Sequence, residues 1–264
     1  MTTENRFATA APPDEASAQR AGLVHAAGLG NLRAVYPVAR QTRLLVLAVC
    51  FILLPIPFLF GAAAAAGLLL GVLLWPLAAM ALYKSPIVNH RMARRCVYVH
   101  EYGFIHVGQG NSMDAYRWDQ ISTVYQAIVR TRYNGVSTGT KYLYTITRAD
   151  GKTVKLTQMF QNIGQLGRDI SVRVSDAQLP AVRAALAQGQ KLWFGDIFVD
   201  SVSVGTQRKA VPWSSVSDVQ IRNGLISLVQ TGKFLPLTRT RAADVPNLPL
   251  FLHLARGMQG RSSR

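Results

Sequence analysis

Glutamate is scarce in this chain. Only three occur in 264 residues, at positions 4, 15 and 101, and Asp and Glu together number 13. Paired-carboxylate chemistry therefore has few places to form. Cysteine is scarcer still. Cys50 and Cys96 are the only two, which excludes a disulfide framework and a cysteine-rich zinc site. The five histidines, at 25, 90, 100, 106 and 253, are scattered. No Gly-x-Ser-x-Gly elbow occurs. Gly108-Gln109-Gly110 and the glycines of 135–139 do not join a strand to a helix with the spacing of a nucleotide loop. One metal arrangement is conceivable: His100 and His106 approaching across a hairpin that turns near Gly103, completed by Glu101 or Asp114. Partly exposed strand histidines are the plainer reading. No catalytic set, cofactor or metal is expected, and the chain reads as a non-enzyme.

Charge as a whole is sparse, at 16% of residues against 49% hydrophobic, yet it is lopsided: 29 Lys and Arg give a net +16. The dilution has a location. Residues 44–83 hold no Asp, Glu, Lys, Arg or His. A single helix of that length would run about 60 Å, twice the roughly 30 Å of a bilayer's hydrocarbon core. Pro55, Pro57 and Gly61 supply a break, so the expectation is an N-terminal two-helix transmembrane hairpin, 44–60 and 62–83. It begins too far from Met1 for an ordinary signal peptide and is read as retained. Ala63, Gly67 and Gly71 lie four apart, on one face of the second helix, where small residues admit a close neighbour, either the first helix or a second copy. Arg33, Arg40 and Arg43 precede the run; Lys84, Arg91, Arg94 and Arg95 follow it. The positive-inside rule then predicts a multi-pass protein of the cell membrane with both termini cytoplasmic.

Around the hairpin the expected layout is a disordered tail (1–28), a juxtamembrane segment (29–43) and a basic linker (84–95). Two β units (96–189 and 190–257) and a basic tail (258–264) follow. Hairpins are predicted over 97–107 and over 142–156, the latter turning at Asp150-Gly151. A strand is predicted over 121–129, with 133–140 as a loop, and helices over 163–174 and 179–187, with Asp176 capping the second. In the second unit strands are expected at 192–194, 197–204, 216–221, 225–229 and 234–237, with Asn223-Gly224 as a tight turn, then a helix over 248–256 capped by Asn247.

The units share a pattern. Arg117-Trp118-Asp119-Gln120-Ile121-Ser122-Thr123-Val124 aligns with Pro212-Trp213-Ser214-Ser215-Val216-Ser217-Asp218-Val219, and Leu179-Pro180 with Leu248-Pro249. This reads as an internal repeat. Trp118 and Trp213 are expected to anchor cores. Antiparallel strands closed by a C-terminal helix describe a pleckstrin-homology-like (PH-like) unit. With the apolar run and its basic flank, the chain resembles bacterial PH-like membrane proteins. More closely, it resembles a family of actinobacterial membrane proteins defined as a domain of unknown function. The matching segments are 97–107, 116–126, 142–153, 192–198, 212–224 and 245–255. The resemblance implies an α+β membrane protein with duplicated PH-like units, each closed by a helix, and transfers no catalytic residue.

From Lys84 onward 24 cations face ten carboxylates, leaving +14 beyond the apolar run. Lys84, Arg91, Arg94, Arg95, Arg130, Arg132, Lys141, Arg148, Lys152 and Lys155 are the candidate contacts for anionic lipid head groups or an acidic partner. A generic solvated basic face that fixes topology is the competing reading. Nucleic acid fits poorly, because the cations are spread and no aromatic–basic motif accompanies them. The expected function is a membrane-anchored cytosolic interaction module at the inner leaflet. The alternative is a small oligomeric transport- or channel-associated subunit. Against that alternative, 44–83 offers no polar residue suited to a pore.

Overall fold

In the computed structural model the described residues are 14–39, 42–54, 56, 64–84, 93–133, 136–233 and 236–262. They form two compact units, Met1–Ala115 and Tyr116–Arg264. Among them are five α-helices and four antiparallel sheets, an α+β fold.

The first unit holds α1 (Asp14–Ala26), β1 (Leu32–Pro37), α2 (Thr42–Leu53), α3 (Ala64–Lys84), β2 (Cys96–His100), β3 (Gly103–Val107) and β4 (Met113–Arg117), the last running into the second unit. Its sheet runs in the order β1-β2-β3-β4. β2, Cys-Val-Tyr-Val-His, is rich in branched and aromatic residues, and all five are buried. On one face Cys96, Tyr98, Ile105 and Val107 pack with Leu29 and take Leu23, Val24 and Ala27 from α1 and its end. The Arg20 guanidinium sits 4.3 Å from the centre of the Tyr98 ring. That packing is why residues 14–26, expected to be disordered, are helical.

The expected two-helix transmembrane hairpin is overturned here. α2 has 12 residues, about 18 Å of helix against a core of about 30 Å. It ends ahead of Pro55, which disfavours helix in the residue before it. Among the described residues one helix, over Ala65–Tyr83 within α3, is long and apolar enough to cross a membrane. Pro55, Pro57 and Gly61, on which the expected break rested, lie outside the described residues. The order is also different from the one expected, because a strand precedes the apolar run. β1 lies in the segment expected to be juxtamembrane. It pairs with β2 from Leu32 opposite His100 to Pro37 opposite Cys96. The apolar helices are an insertion between two hydrogen-bonded strands.

The second unit opens at a 3-10 turn carrying buried Trp118, followed by β5 (Ile121–Tyr133), β6 (Val136–Arg148) and β7 (Thr153–Thr157) in one sheet. α4 (Ile163–Ala187) follows. Then come β8 (Leu192–Phe194), β9 (Ile197–Val199), β10 (Ser203–Thr206) and β11 (Ala210–Pro212) as a four-stranded sheet. A second 3-10 turn carries buried Trp213. It leads to β12 (Val216–Arg222), β13 (Leu225–Gln230), β14 (Thr238–Arg241) and α5 (Leu248–Ser262). Asn223 and Gly224 turn the β12–β13 hairpin at φ 50° and 74°, the two left-handed residues a type I′ turn requires. Of the residues expected to form a loop, 133–140, Tyr133 ends β5 and 136–140 begin β6, with Tyr133 opposite Val136, while 134–135 lie outside the described residues. The two expected helices are one, α4, which passes through Pro180. An interior proline costs about 3 kcal/mol; Leu179, Val182 and Leu186 hold the helix there by packing on the core under α5. Of the strand expected at 234–237, residues 234–235 lie outside the described residues and 236–237 are not in a strand; β14 begins at Thr238, and the expected basic tail begins inside α5.

Asn247 does more than cap α5. Its carbonyl accepts the Phe251 N–H at 3.1 Å. Its side-chain Oδ1 accepts the Val124 N–H at 2.8 Å, and Nδ2 donates to Ser122 O and Gln178 Oε1, each at 2.9 Å. With its backbone at φ 49°, one residue joins β5, α4 and the start of α5.

Candidate membrane-contact surface

α2 and α3 pack on each other, and the small residues Ala48, Gly67, Gly71 and Ala78 are buried. Gly67 and Gly71, expected to admit a close neighbour, are buried, and Gly71 lies against the Trp75 ring of its own helix; Ala63 lies outside the described residues. The other faces are apolar and bare. Leu69 is 73% exposed, Val72 72% and Leu73 67%, with Val46, Leu47 and Leu53 of α2 also open. Single exposed leucines are ordinary on a protein surface; a helix pair bare on most of its apolar side chains is not. Trp75 and Tyr83 are exposed as well, suited to the boundary between hydrocarbon and water.

The candidate cations divide into groups. Lys84 closes α3, and Arg91 lies outside the described residues. Arg94 is exposed, whereas half-buried Arg95 donates to Gln109 Oε1 at 2.9 Å. Arg33, expected as a flanking charge, is a β1 residue paired with Glu101 at 3.1 Å. Arg148 grips Asp150 with a forked ion pair and lies 5.5 Å from the Tyr116 ring centre. Its guanidinium holds the Asp150 carboxyl down at about 2. The Lys152 backbone N–H closes on the same carboxylate at 3.1 Å. This is a turn lock, and most of its charge is answered locally.

Strand register sorts the rest. Val129 opposes Lys141, Ala127 opposes Leu143, and Tyr125, Thr145 and Lys155 form one row across β5, β6 and β7. Alternation puts all of these on one face. It is the outward face, because Val124, Tyr144, Ile146, Val154 and Leu156 of the opposite face are buried. Lys141 and Lys155 therefore flank an exposed apolar strip of Val129 and Leu143. Arg130 projects from the opposite face, beside Ile128; Arg132 lies further along β5.

The conceivable histidine–metal pair does not form. His106 opposes Val97 on β2, so it shares that residue's face; His100, three positions further on, points the other way. His100 Nδ1 meets Gly30 O at 3.1 Å. Among the described residues no group of three or more His, Cys, Asp or Glu is placed to hold a metal ion. Burial pushes the Cys96 thiol up, and it pushes Tyr98, which also bonds Cys96, up to about 12.

A model for a family of unknown function, DUF6585, matches residues 13–263. The chain belongs to this family. The match spans α1, the apolar insertion and the strands of all four sheets, so the insertion lies inside the family's boundaries. No curated protein and no solved structure matches the chain.

Burial also lowers the affinity of His100 and His106 for a proton; the Asp114 carboxylate opposes the shift at His106 and Arg95 adds to it. A base held below its unfolded value stabilises the fold above that value, near 6.5, and loses the contribution as pH falls. Thermal unfolding of the solubilised protein should therefore move to lower temperature between pH 7.5 and 5. His100→Gln should make that dependence shallower. A melting temperature independent of pH over this range would remove the assignment.

Proposed function

We propose that this protein is a non-enzymatic, membrane-anchored module whose β part engages anionic lipid head groups. The bare apolar surface of α2 and α3 carries the reading, since water is a poor solvent for it and lipid a good one. The +14 balance after the apolar run supports a negatively charged neighbour, and the outward face with Lys141, Lys155, Val129 and Leu143 supports an interfacial one. The order of elements supports a PH-like reading of the β part: four strands, a turn with a buried Trp, three strands and a helix occur twice along the chain.

The test uses the full chain in nanodiscs, with an environment-sensitive fluorophore on Ala127→Cys in a background free of other cysteines. Anionic lipid should shift its emission to the blue, and neutral lipid should not. Each cation near an anionic leaflet contributes about 1 kcal/mol. Lys141→Glu with Lys155→Glu should then lower the docked-to-undocked ratio by roughly thirtyfold or more. Identical spectra in the two lipids would remove the head-group reading. Recovery of the chain in the supernatant after alkaline washing would remove the anchor.

A further inference from the structure

We infer that the two ends of the apolar insertion lie on the same side of the membrane. The inference rests on the anchoring just proposed and adds a topology that helix length alone does not give. By length and composition α3 is the one candidate span among the described residues, which taken alone predicts a single-pass protein with its two ends on opposite sides. Strand pairing contradicts that prediction. Pro37, just before the insertion, lies opposite Cys96, just after it, and the ladder continues through Tyr36 with Val97, Val35 with Tyr98 and Ala34 with Val99. Opposed residues in such a ladder are about 5 Å apart at Cα. A bilayer core of about 30 Å cannot lie between them.

The return cannot be made late. After α3 ends at Lys84 the chain carries His90, Arg91, Arg94 and Arg95 before β2 begins. Eleven residues in extended form would reach across the core, but only by placing those cations in hydrocarbon with their backbone groups unpaired, which lipid does not tolerate. The Lys84 end of α3 is therefore on the side of the sheet. Arg40 and Arg43 hold the entry to α2 on that side for the same reason. Both ends of the insertion therefore meet at the neck formed by β1 and β2, on the same side of the membrane as α1 and the first sheet.

Three cysteine variants, each free of Cys50 and Cys96 by substitution to serine, test this in the full-length chain. Gln19→Cys lies on α1 before the insertion; Ser112→Cys lies after it; both positions are exposed. In sealed membrane vesicles of each orientation, a membrane-impermeant maleimide should label both in the same orientation. Labelling of Gln19→Cys in one orientation and Ser112→Cys in the other would overturn the inference and leave anchoring intact. Ala34→Cys with Val99→Cys should cross-link on oxidation in the membrane-bound protein. Failure to cross-link would overturn the inference too, because the closed neck is its premise. Release of the chain by alkaline carbonate is the different failure, which removes the anchoring and the inference with it.

Discussion

Gly167→Ala is expected to destabilise the second unit by about 3 kcal/mol or more. An interior helical glycine replaced by alanine ordinarily gains about 1 kcal/mol, so the predicted sign is opposite to propensity. The cause is the Tyr144 ring. A Cβ built on Gly167 overlaps that ring. Tyr144 is fully buried in β6, the central strand of its sheet, held by Gln126 on one side and Leu156 on the other. The ring is shut off from solvent on every side, and overpacking of this kind typically costs 1–3 kcal/mol even where neighbours can shift. Gly164, one turn earlier, is the control. A Cβ there meets the Tyr142 ring at 3.1 Å, and that ring is partly exposed and free to yield. Gly164→Ala should cost much less. Tyr144→Leu, which removes the ring, should make Gly167→Ala cheaper in a double-mutant cycle. Denaturant unfolding followed by tryptophan fluorescence reads each value. A Gly167→Ala midpoint at or above that of the parent chain would refute the packing argument.

Gly167 also marks where sequence reading ends. Its spacing in α4 is ordinary, and only the ring across from it makes the glycine necessary. Local signals were legible: Asn223-Gly224, Asp150-Gly151 and the alternation around them placed four strands. Signals that need a distant partner were not. β1 is six residues long, and some sixty residues, two helices included, separate it from the strand that pairs with it. Its alternation gave no hint that it belonged to β2. Helix α4 was divided at Pro180 because local rules break a helix there, while the apolar contacts of Leu179 and Leu186 override them. Asn247 was legible as a cap. Its three side-chain bonds to β5 and α4 were not, since they join residues about 70 and 125 positions away. The candidate cations were legible as a list, but faces follow register. Moving the β2–β3 turn by one residue exchanges faces along a strand. That is how a turn placed near Gly103 brought His100 and His106 together when the actual pairing separates them. Asp150 likewise converts Arg148 from a lipid-facing candidate into part of a turn.

Excision of the insertion is expected to abolish the proposed membrane anchoring and leave a chain that stays in solution and keeps its sheets. Pro37 faces Cys96 across the β1–β2 ladder, so an Asn-Gly turn in place of residues 38–95 spans the gap without moving either strand. The face of the first sheet that carries Cys96, Tyr98, Ile105 and Val107 keeps its cover, because the residues packed on it from outside the strands come from α1 and its end. What is lost is the apolar surface. Eleven Val, Leu, Ile and Met side chains of α2 and α3 are exposed in the fold. At about 1.5 kcal/mol for each one taken up by lipid, their removal deletes on the order of 15 kcal/mol of membrane affinity. Nothing else in the described chain compensates for that. Two cations near an anionic leaflet contribute about 2 kcal/mol, enough for weak, reversible attachment. The excised protein should therefore leave the carbonate-washed pellet entirely and keep its β-sheet circular dichroism. It should still bind anionic vesicles with a strength that falls as salt rises. The two properties fail separately. A chain that stays in the washed pellet after excision owes its anchoring to some other surface. One that reaches the supernatant without its sheet signal shows that the inserted helices are needed for β1 and β2 to pair.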